Sequence, residues 1–581
     1  MIKKPHSNLY EKTDYKDIRE AIRAGINRYP ESIAFTLKSK NGKEVAYRDI
    51  TYKELEGEIN SLGAGFLKMG LKDKKIAIIG PNSYEWILSY MAVLFGVGVV
   101  VPLDKGLPPQ EIEDSAIRSG ADCIIFDEKY VDVINDIKAN GKSNLKQYIC
   151  MQATENSDFD NLDNIKSIGK SELQKGNMEY VNAEIDPDKA SIILFTSGTT
   201  SLSKAVLLSH KNIASDMNSM NAAEKLYNTD TNLVLLPFHH TFGSTGILLM
   251  LNNGVRNVFC DGLRYIQDNM KEYKVSVFVC VPLLLEAMHK KIIAQIKKLG
   301  KEKTVEKGKK ICNALLKIGI DVRKKVFKDI LDQLGGNMRF IVSGAAAIDK
   351  QVAMDFNSWG ILTIQGYGLT ETSPVLCAEN AKFIKPGSVG VALPDMEIKI
   401  YEPNEDGIGE LIAKGPNVMQ GYYNNEEATK QSLVDGWYHT GDLGYIDRQG
   451  YIFITGRKKN VIVLKNGKNI FPEEIEVLIN NLPYVTECIV FGYPKDDDYV
   501  LSTKIVYDEN FVKLNYKGIT QEELEAKVWE DIKNINSTVP KYKHIKKFIL
   551  TKEPMIKTTT AKIKKFEEVN KIIEEKQIKF D

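Results

Sequence analysis

Residues 194–210 read LFTSGTTSLSKAVLLSH, and this stretch decides the fold. It opens on an apolar run, 191–195, with the length and texture of a buried strand. Thr196, Ser197, Gly198, Thr199, Thr200, Ser201 and Ser203 follow, with Lys204 placed inside the same polar loop. Small hydroxyl residues and a glycine let backbone N–H groups approach an anion closely, and a lysine adds a point charge. The stretch reads as a phosphate cradle. It is not a Walker A loop, because no glycine precedes Lys204 and no Ser or Thr follows it. Taken alone, the cluster is equally a polar strand-to-helix turn.

Working outward, residues 75–126 alternate between the two periodicities: IAIIG, a helix over 82–95, VGVVV, a helix over 109–119, then ADCIIF. Such alternation predicts a parallel α/β sheet with right-handed crossovers. The polar loop then sits at the carboxyl end of a parallel strand, where ligand loops gather. Residues 140–188 are polar and read as irregular surface excursions. Further strands are expected over 232–236, 275–280 and 338–342. Between the last two, 283–334 reads as a basic, solvated helical hairpin whose lysines also suit anionic headgroups. From Gly387 short strands and turns predict a β-rich subdomain. The expected class is α/β: a large N-terminal domain, 1–456, with mixed or parallel sheets and that β-rich part, and a small mobile α+β C-terminal domain, 457–581.

The balance of 78 basic against 77 acidic residues leaves a formal net charge of +1. No global field recruits nucleic acid, so a polyanionic ligand must be held by a local site. The seven cysteines, Cys123, Cys150, Cys260, Cys280, Cys312, Cys377 and Cys488, form no CxxC pair. That argues against a disulfide framework or structural zinc and suits a reducing cytoplasm. The first 17 residues carry basic side chains with no apolar core behind them, unlike a signal peptide. Residues 87–103 are apolar but short for a span and interrupted by Gly96 and Gly98, so they read as a buried helix, a glycine turn and a strand. The expected location is cytoplasmic, with membrane contact peripheral at most.

Four more segments carry chemistry-bearing residues. PFHHTFG, 237–243, places His239 and His240 after a strand; His239 alone reads as a cap or surface residue. QGYGLTETSP, 365–374, joins the glycine-flanked Tyr367 to Thr370 and Glu371. WYHTGDLGYID, 437–447, places Asp442 in an exposed turn, and GRKKNVIVLKNGKNIFPEEIE, 456–476, pairs Arg457 with a basic loop. Near the end KTTTAKIK, 557–564, holds Lys562 among hydroxyl residues. TSGTT, GYGLTET, HTGDLGYID and GRKKN, in this order, resemble the acyl-adenylate-forming superfamily (AMP-dependent synthetases and ligases) over essentially the whole chain. Within it the sequence looks most like the long-chain fatty-acid–CoA ligases, through ITGRKKNVIVLKNGKNIFPEEIE and the helical insertion before Gly335 and Gly336.

The resemblance implies ATP-dependent activation of a medium- or long-chain fatty acid to acyl-AMP and pyrophosphate, then transfer to coenzyme A. It assigns residues 196–204 (Thr196, Ser197, Gly198, Thr199, Thr200 and Lys204 among them) to the β- and γ-phosphates of ATP. Glu371 would hold Mg²⁺, with the Thr196 hydroxyl contributing. Gly344, Ala345 and Ala346 would line the adenine, with Tyr367, between Gly366 and Gly368, stacking on it. Thr370 would lie near the α-phosphate, and Asp442 and Arg457 would hold the ribose. Lys562 would reach the carboxylate and α-phosphate, His240 would orient the carboxylate, and Lys459 would be the hinge between half-reactions. The acyl tunnel is expected along 238–251 and 365–370. Where the family has glycine, proline and glycine, this chain has Ser201, Ser203 and Ala205, and Asn460 replaces a common acidic residue. Two alternatives stand beside this reading: an acyl-adenylating ligase that loads a separate acyl carrier protein, and a non-catalytic acyl- or nucleotide-binding scaffold. The second fits poorly with a dispersed charge set such as Glu371, Asp442, Arg457 and Lys562.

Overall fold

Two sheets share one helical layer in the computed structural model, which describes residues 6–42, 44–152, 159–196, 203–465, 468–495, 498–557 and 563–578. The first sheet has nine strands, parallel through its centre in the order Leu362–Gly368, Phe340–Ser343, Val277–Cys280, Thr231–Val234, Arg256–Phe259 and Ile33–Asn41. Antiparallel strands close its edges, Val375–Ala378 and Val391–Ala392 on one side and Glu44–Thr51 on the other. The second sheet has eight strands. Ala190–Thr196, Val99–Leu103, Lys75–Ile79, Cys123–Phe126, Gln147–Cys150 and Asp160–Asn161 run parallel in that order. Lys204–Ser209 then returns antiparallel beside Ala190–Thr196, and Gly421–Tyr422 pairs antiparallel with it at the edge. Short runs such as CIIF and FIVS are largely buried, as parallel strands covered by helices must be.

Helices Ile18–Arg28, Tyr52–Lys68, Tyr84–Leu94, His210–Ala223 and Thr241–Asn252 fill the space between the sheets. One apolar cluster joins them to Phe35 and Val234 of the nine-stranded sheet and to Ile76, Val100 and Ile192 of the eight-stranded one. Their starts are written locally: Asp17, Thr51, Ser83 and Ser209 each accept a hydrogen bond from a first-turn N–H. The apolar run 87–103 is a buried helix, a glycine turn at Gly96 (φ 143°) and the strand Val99–Leu103, as expected. No helix among the described residues is long and apolar enough to cross a membrane.

Residues 140–188 are not the irregular excursion their polarity suggested. They contain two sheet-edge strands and the helix Leu162–Gln174, capped by Asn161. This helix lies backbone-close on Tyr52–Lys68: a Cβ on Gly169 would fall 1.8 Å from the Ser61 carbonyl oxygen, and one on Gly65 2.3 Å from that of Ile165. Leu162, Ile165 and Gly169 recur at helical spacing on the buried face, a signal the surrounding polar residues masked.

The basic stretch forms Pro282–Lys298 and Glu302–Lys317, followed by the short helices Arg323–Val326 and Lys328–Gln333. The β-rich part is an antiparallel sheet of Glu397–Tyr401, Gly409–Lys414, Trp437–Ile446, Leu433–Val434 and Ile452–Arg457. After it, Val485–Lys495, Asp498–Tyr507 and Lys547–Thr551 form a three-stranded sheet with helices Pro472–Asn480, Gln521–Ser537 and Lys565–Glu574. The fold is thus the expected α/β architecture with a small α+β C-terminal domain. Because the Gly169 contact has no room for a methyl group, Gly169→Ala should destabilise the protein by about 1–3 kcal/mol, read as a lowered melting temperature; an unchanged Tm would refute the close packing.

Candidate active site

The polar loop that organises the sequence joins two antiparallel strands, not a strand and a helix. Ser197, Gly198, Thr199, Thr200 and Ser201 lie outside the described residues. Lys204 is not in the loop. It opens the strand Lys204–Ser209 opposite Thr196, whose Oγ1 donates to the Lys204 carbonyl at 3.2 Å. AVLLS continues as strand because it can bury apolar side chains on the sheet, and Ser209 only then caps the next helix. The Lys204 ammonium sits 4.5 Å from the centroid of the Tyr422 ring. Arg118, which carried no sequence signal, donates from Nη1 to Ser203 Oγ at 3.0 Å and from Nη2 to the Ser203 carbonyl.

Three motifs converge on Asp442. The expected exposed turn is instead a buried position, 4 % exposed, inside Trp437–Ile446. The turn residues mislead because Gly441, at φ 71°, and a register shift after Leu443 make an irregularity within a continuing strand. Asp442 lies in register with Arg457 on Ile452–Arg457, and Arg457 Nε is 2.7 Å from Asp442 Oδ1. The Tyr367 hydroxyl donates to Asp442 Oδ2 at 2.6 Å. Burial would lower the Arg457 pKa, but Asp442, then Tyr367, Tyr438 and Glu371, outweigh it and raise it. Burial pushes the Tyr367 phenol well up, and Asp442 adds to the effect.

Tyr367 and Gly368 end the strand Leu362–Gly368, which folds straight back into Val375–Ala378. A Cβ on Gly368 would lie 1.7 Å from the Pro374 carbonyl oxygen, so only glycine fits. The intervening 3₁₀ turn Thr370–Thr372 carries Thr370 and Glu371. Glu371 Oε1 accepts from the Tyr422 hydroxyl at 3.0 Å, while its carbonyl accepts from Met419 N at 2.8 Å. Tyr422 is a further residue that no sequence motif announced.

Asn82, at the end of the eight-stranded sheet, holds the histidine loop of the other sheet. Its Nδ2 donates to the Leu236 carbonyl at 2.7 Å and its Oδ1 accepts from Phe238 N at 3.0 Å. His240 precedes Thr241–Asn252 without capping it, and its side chain lines the central cavity. His239 is neither a cap nor a surface residue: it is 5 % exposed, with Nε2 3.2 Å from Asp104 Oδ1. Gly344, Ala345 and Ala346 follow Phe340–Ser343 and line the same cavity, Gly344 directly against the Phe242 ring.

Lys458, Lys459 and Asn460 form one 3₁₀ turn. Lys458 Nζ donates to Glu410 Oε2 of the β-rich sheet at 3.0 Å, and Asn460 Nδ2 to Glu473 Oε1 of the following helix at 2.7 Å. Lys562 lies outside the described residues. On either side of its segment, Lys557 pairs with Glu487 at 2.5 Å, and Lys565 with Glu473 at 2.9 Å and Glu476 at 2.8 Å. A single cleft of about 4310 Å³ touches Thr196, Lys204, His240, Gly344, Tyr367, Glu371, Asp442 and Arg457. It continues between Met220, Leu226, Leu249, Met250, Phe340 and Ile364, an apolar wall drawn largely from His210–Ala223, Thr241–Asn252 and the nine-stranded sheet.

The AMP-binding enzyme profile matches residues 22–423, and the AMP-binding enzyme C-terminal domain profile matches 459–572. The chain belongs to the AMP-binding enzyme family. By class this AMP-binding enzyme is an adenylate-forming acyl ligase. It is 30 % identical to mouse (Mus musculus) long-chain-fatty-acid–CoA ligase 6 over 489 residues, 77 % of this chain and 68 % of the relative. It is 26 % identical to the chloroplastic long-chain-fatty-acid–[acyl-carrier-protein] ligase AEE15 of Arabidopsis thaliana over 602 residues, 90 % of this chain and 81 % of the relative. In fold it is similar to the anthranilate CoA ligase AuaEII crystallised with anthranoyl-AMP, with TM-score 0.77 and 17 % identity over 98 % of this chain and 99 % of that one.

In this AMP-binding enzyme a second buried carboxylate braces the site. Glu379, 2 % exposed, accepts from Gln365 N at 3.2 Å and from Lys385 N at 2.9 Å behind the Leu362–Gly368 strand. Burial pushes its pKa from 4.5 up to about 7, against the pull of those two N–H groups. Between these values the folded carboxyl keeps a proton that the unfolded chain releases. Its contribution is therefore fully present below pH 4.5 and lost as pH rises through about 7. Glu379→Gln should remove that dependence, so the Tm of the variant relative to wild type should climb between pH 5 and pH 8, by the equivalent of up to about 3 kcal/mol. A difference that stays flat across this range would count against the buried proton.

Proposed function

We propose that this enzyme converts a medium- or long-chain fatty acid, ATP and coenzyme A into acyl-CoA, AMP and pyrophosphate. One observation carries the proposal: the cleft that holds Glu371, Asp442 and Arg457 also reaches the apolar side chains Met220, Leu226, Leu249, Met250, Phe340 and Ile364. The long-chain-fatty-acid–CoA ligase relative supports the same reading, while the acyl-carrier-protein ligase relative favours a carrier-protein thiol as acceptor.

In the first half-reaction a carboxylate oxygen of the fatty acid attacks the α-phosphorus of ATP, and the bond to the bridging oxygen of pyrophosphate breaks. Residues 196–204 would cradle the β- and γ-phosphates, the loop ends being fixed by the Thr196–Lys204 rung and by Arg118. Asp442, already oriented by Tyr367 and Arg457, would accept from the ribose hydroxyls, and Gly344–Ala346 with Tyr367 would flank the base. Thr370 would lie by the α-phosphate, and His240 would orient the fatty carboxylate. Glu371 and Thr196 offer oxygen donors suited to a hard cation, and bound Mg²⁺ would neutralise phosphate charge there. Lys562 would offset the negative charge that builds between carboxylate and phosphate. In the second half-reaction a thiolate attacks the acyl carbonyl, and the carbon–oxygen bond to AMP breaks.

The two half-reactions need different faces of the smaller unit, which we place at 457–581 against 1–456 with Lys459 as pivot. Lys458 and Asn460 are tied to opposite sides of that pivot, which supports the division. Because proline fixes φ, Lys459→Pro should slow thioester formation at least tenfold more than adenylation. Equal losses in both half-reactions would contradict a rotation about this turn.

The direct test is mass spectrometry of products from purified protein, ATP, Mg²⁺ and a ladder of carboxylic acids, with and without coenzyme A. Acyl-CoA formed with a preference for longer chains is the expected result. Acyl-AMP that persists with coenzyme A present would point to a carrier-protein thiol as acceptor, and no adenylate with any acid would overturn the reaction.

A further inference from the structure

The crevice between the two sheets brings together Asp104 from one and His239 and His240 from the other. Asp104 follows Val99–Leu103, with Oδ1 fixed by Gly106 N at 2.9 Å. The histidines are carried by the loop after Thr231–Val234, which Asn82 clamps across the sheets. Gly243 lets the next helix close on this loop, since a Cβ there would fall 2.1 Å from the Pro237 carbonyl oxygen. One nitrogen from each imidazole and one Asp104 oxygen lie within 4.8 Å of one another.

His239 shows what the arrangement suits. Its Nε2 is buried and makes no hydrogen bond among the described residues, although it stands 3.2 Å from Asp104 Oδ1. A buried imidazole nitrogen so close to a carboxylate and yet misaligned with it is costly, unless a third body sits between them. Two ligands about 2.0–2.1 Å from a tetrahedral zinc ion are about 3.3 Å apart, close to this separation. We propose that Asp104, His239 and His240 bind a divalent transition cation of the zinc class, separate from the Mg²⁺ position at Glu371 and Thr196. Two imidazoles and one carboxylate are a borderline-soft donor set that selects zinc over magnesium or calcium. Three protein ligands leave a fourth position, here facing the cavity. Bound zinc takes His240 away from the fatty carboxylate and so restrains adenylation. This inhibitory part rests on the proposed reaction, whereas the binding part does not.

The test uses the full chain stripped of metal with a chelator. Co²⁺ is titrated while the visible absorption of low-symmetry, four- or five-coordinate cobalt is followed, and Zn²⁺ binding is measured by calorimetry. One equivalent should bind, with Zn²⁺ displacing the cobalt colour. His239→Gln and Asp104→Asn should each weaken Zn²⁺ binding at least tenfold, with melting curves run to confirm that both fold. Stoichiometric Zn²⁺ in excess Mg²⁺ should also suppress acyl-AMP formation, reversibly with chelator. Binding of equal strength in wild type and both folded variants, cysteine binding included, would overturn the site. Colour and calorimetry that obey the triad in a protein forming no adenylate would leave the site standing and remove only the reaction.

Discussion

A carboxylate withdrawn from water must be given counter-charge and hydrogen bonds, and Asp442 is where this chain meets that demand. Its two oxygens are taken by a phenol from Leu362–Gly368 and a guanidinium from the neighbouring strand. A strand of the nine-stranded sheet and a hairpin of the β-rich sheet are thereby held at one point. Arg457 is half exposed while Asp442 is buried, so the pair faces the cleft from the side of the cation. The same residue ends the β-rich sheet and precedes the turn Lys458–Asn460 that leads on to Pro472–Asn480. Glu371 approaches from the next turn and is steadied by Tyr422, which belongs to the strand beside the polar loop. Lys204, Glu371 and Asp442 are thus drawn to one cleft.

The apolar wall of the cleft follows another rule: its shape depends on how closely the elements approach. Phe242 against Gly344 and Gly243 against Pro237 are contacts without a spare methyl group. Asn82 ties the histidine loop to the opposite sheet with two hydrogen bonds to backbone, leaving little freedom for the crevice to widen at its base.

Much of this was legible in sequence. The alternation over 75–126 reported parallel strands because short β-branched runs and capped helices carry their periods locally. Glu371, Asp442 and Arg457 were legible only through motif context; Asp442 reads as a turn because Thr440 and Gly441 are turn formers, and the register shift that keeps it in a strand is a pairing effect. Lys204 was misplaced for a similar reason, since its position depends on the partner strand. The helix Leu162–Gln174 carried a helical spacing of apolar residues but was hidden by the polarity of its surroundings, and Tyr422, Arg118 and Asn82 escaped because their roles are contacts across long sequence separations. His239 looked like surface until Asp104 and the opposite sheet enclosed it.

The position of Ile33–Asn41 in the nine-stranded sheet also governs how the chain comes into being on the ribosome. Phe35 is made well before Asn257, its parallel partner. At about 5–20 residues per second, roughly 10–45 s pass between their appearance. Through that interval the hairpin of Ile33–Asn41 and Glu44–Thr51 has one edge with no strand to receive it, the condition under which nascent chains pair wrongly. The eight-stranded sheet is spared most of this wait: all its strands but Gly421–Tyr422 are synthesised before residue 210. It is able to assemble before the nine-stranded sheet, so Ile33–Asn41, though made ahead of its partners, is among the later strands to find its place.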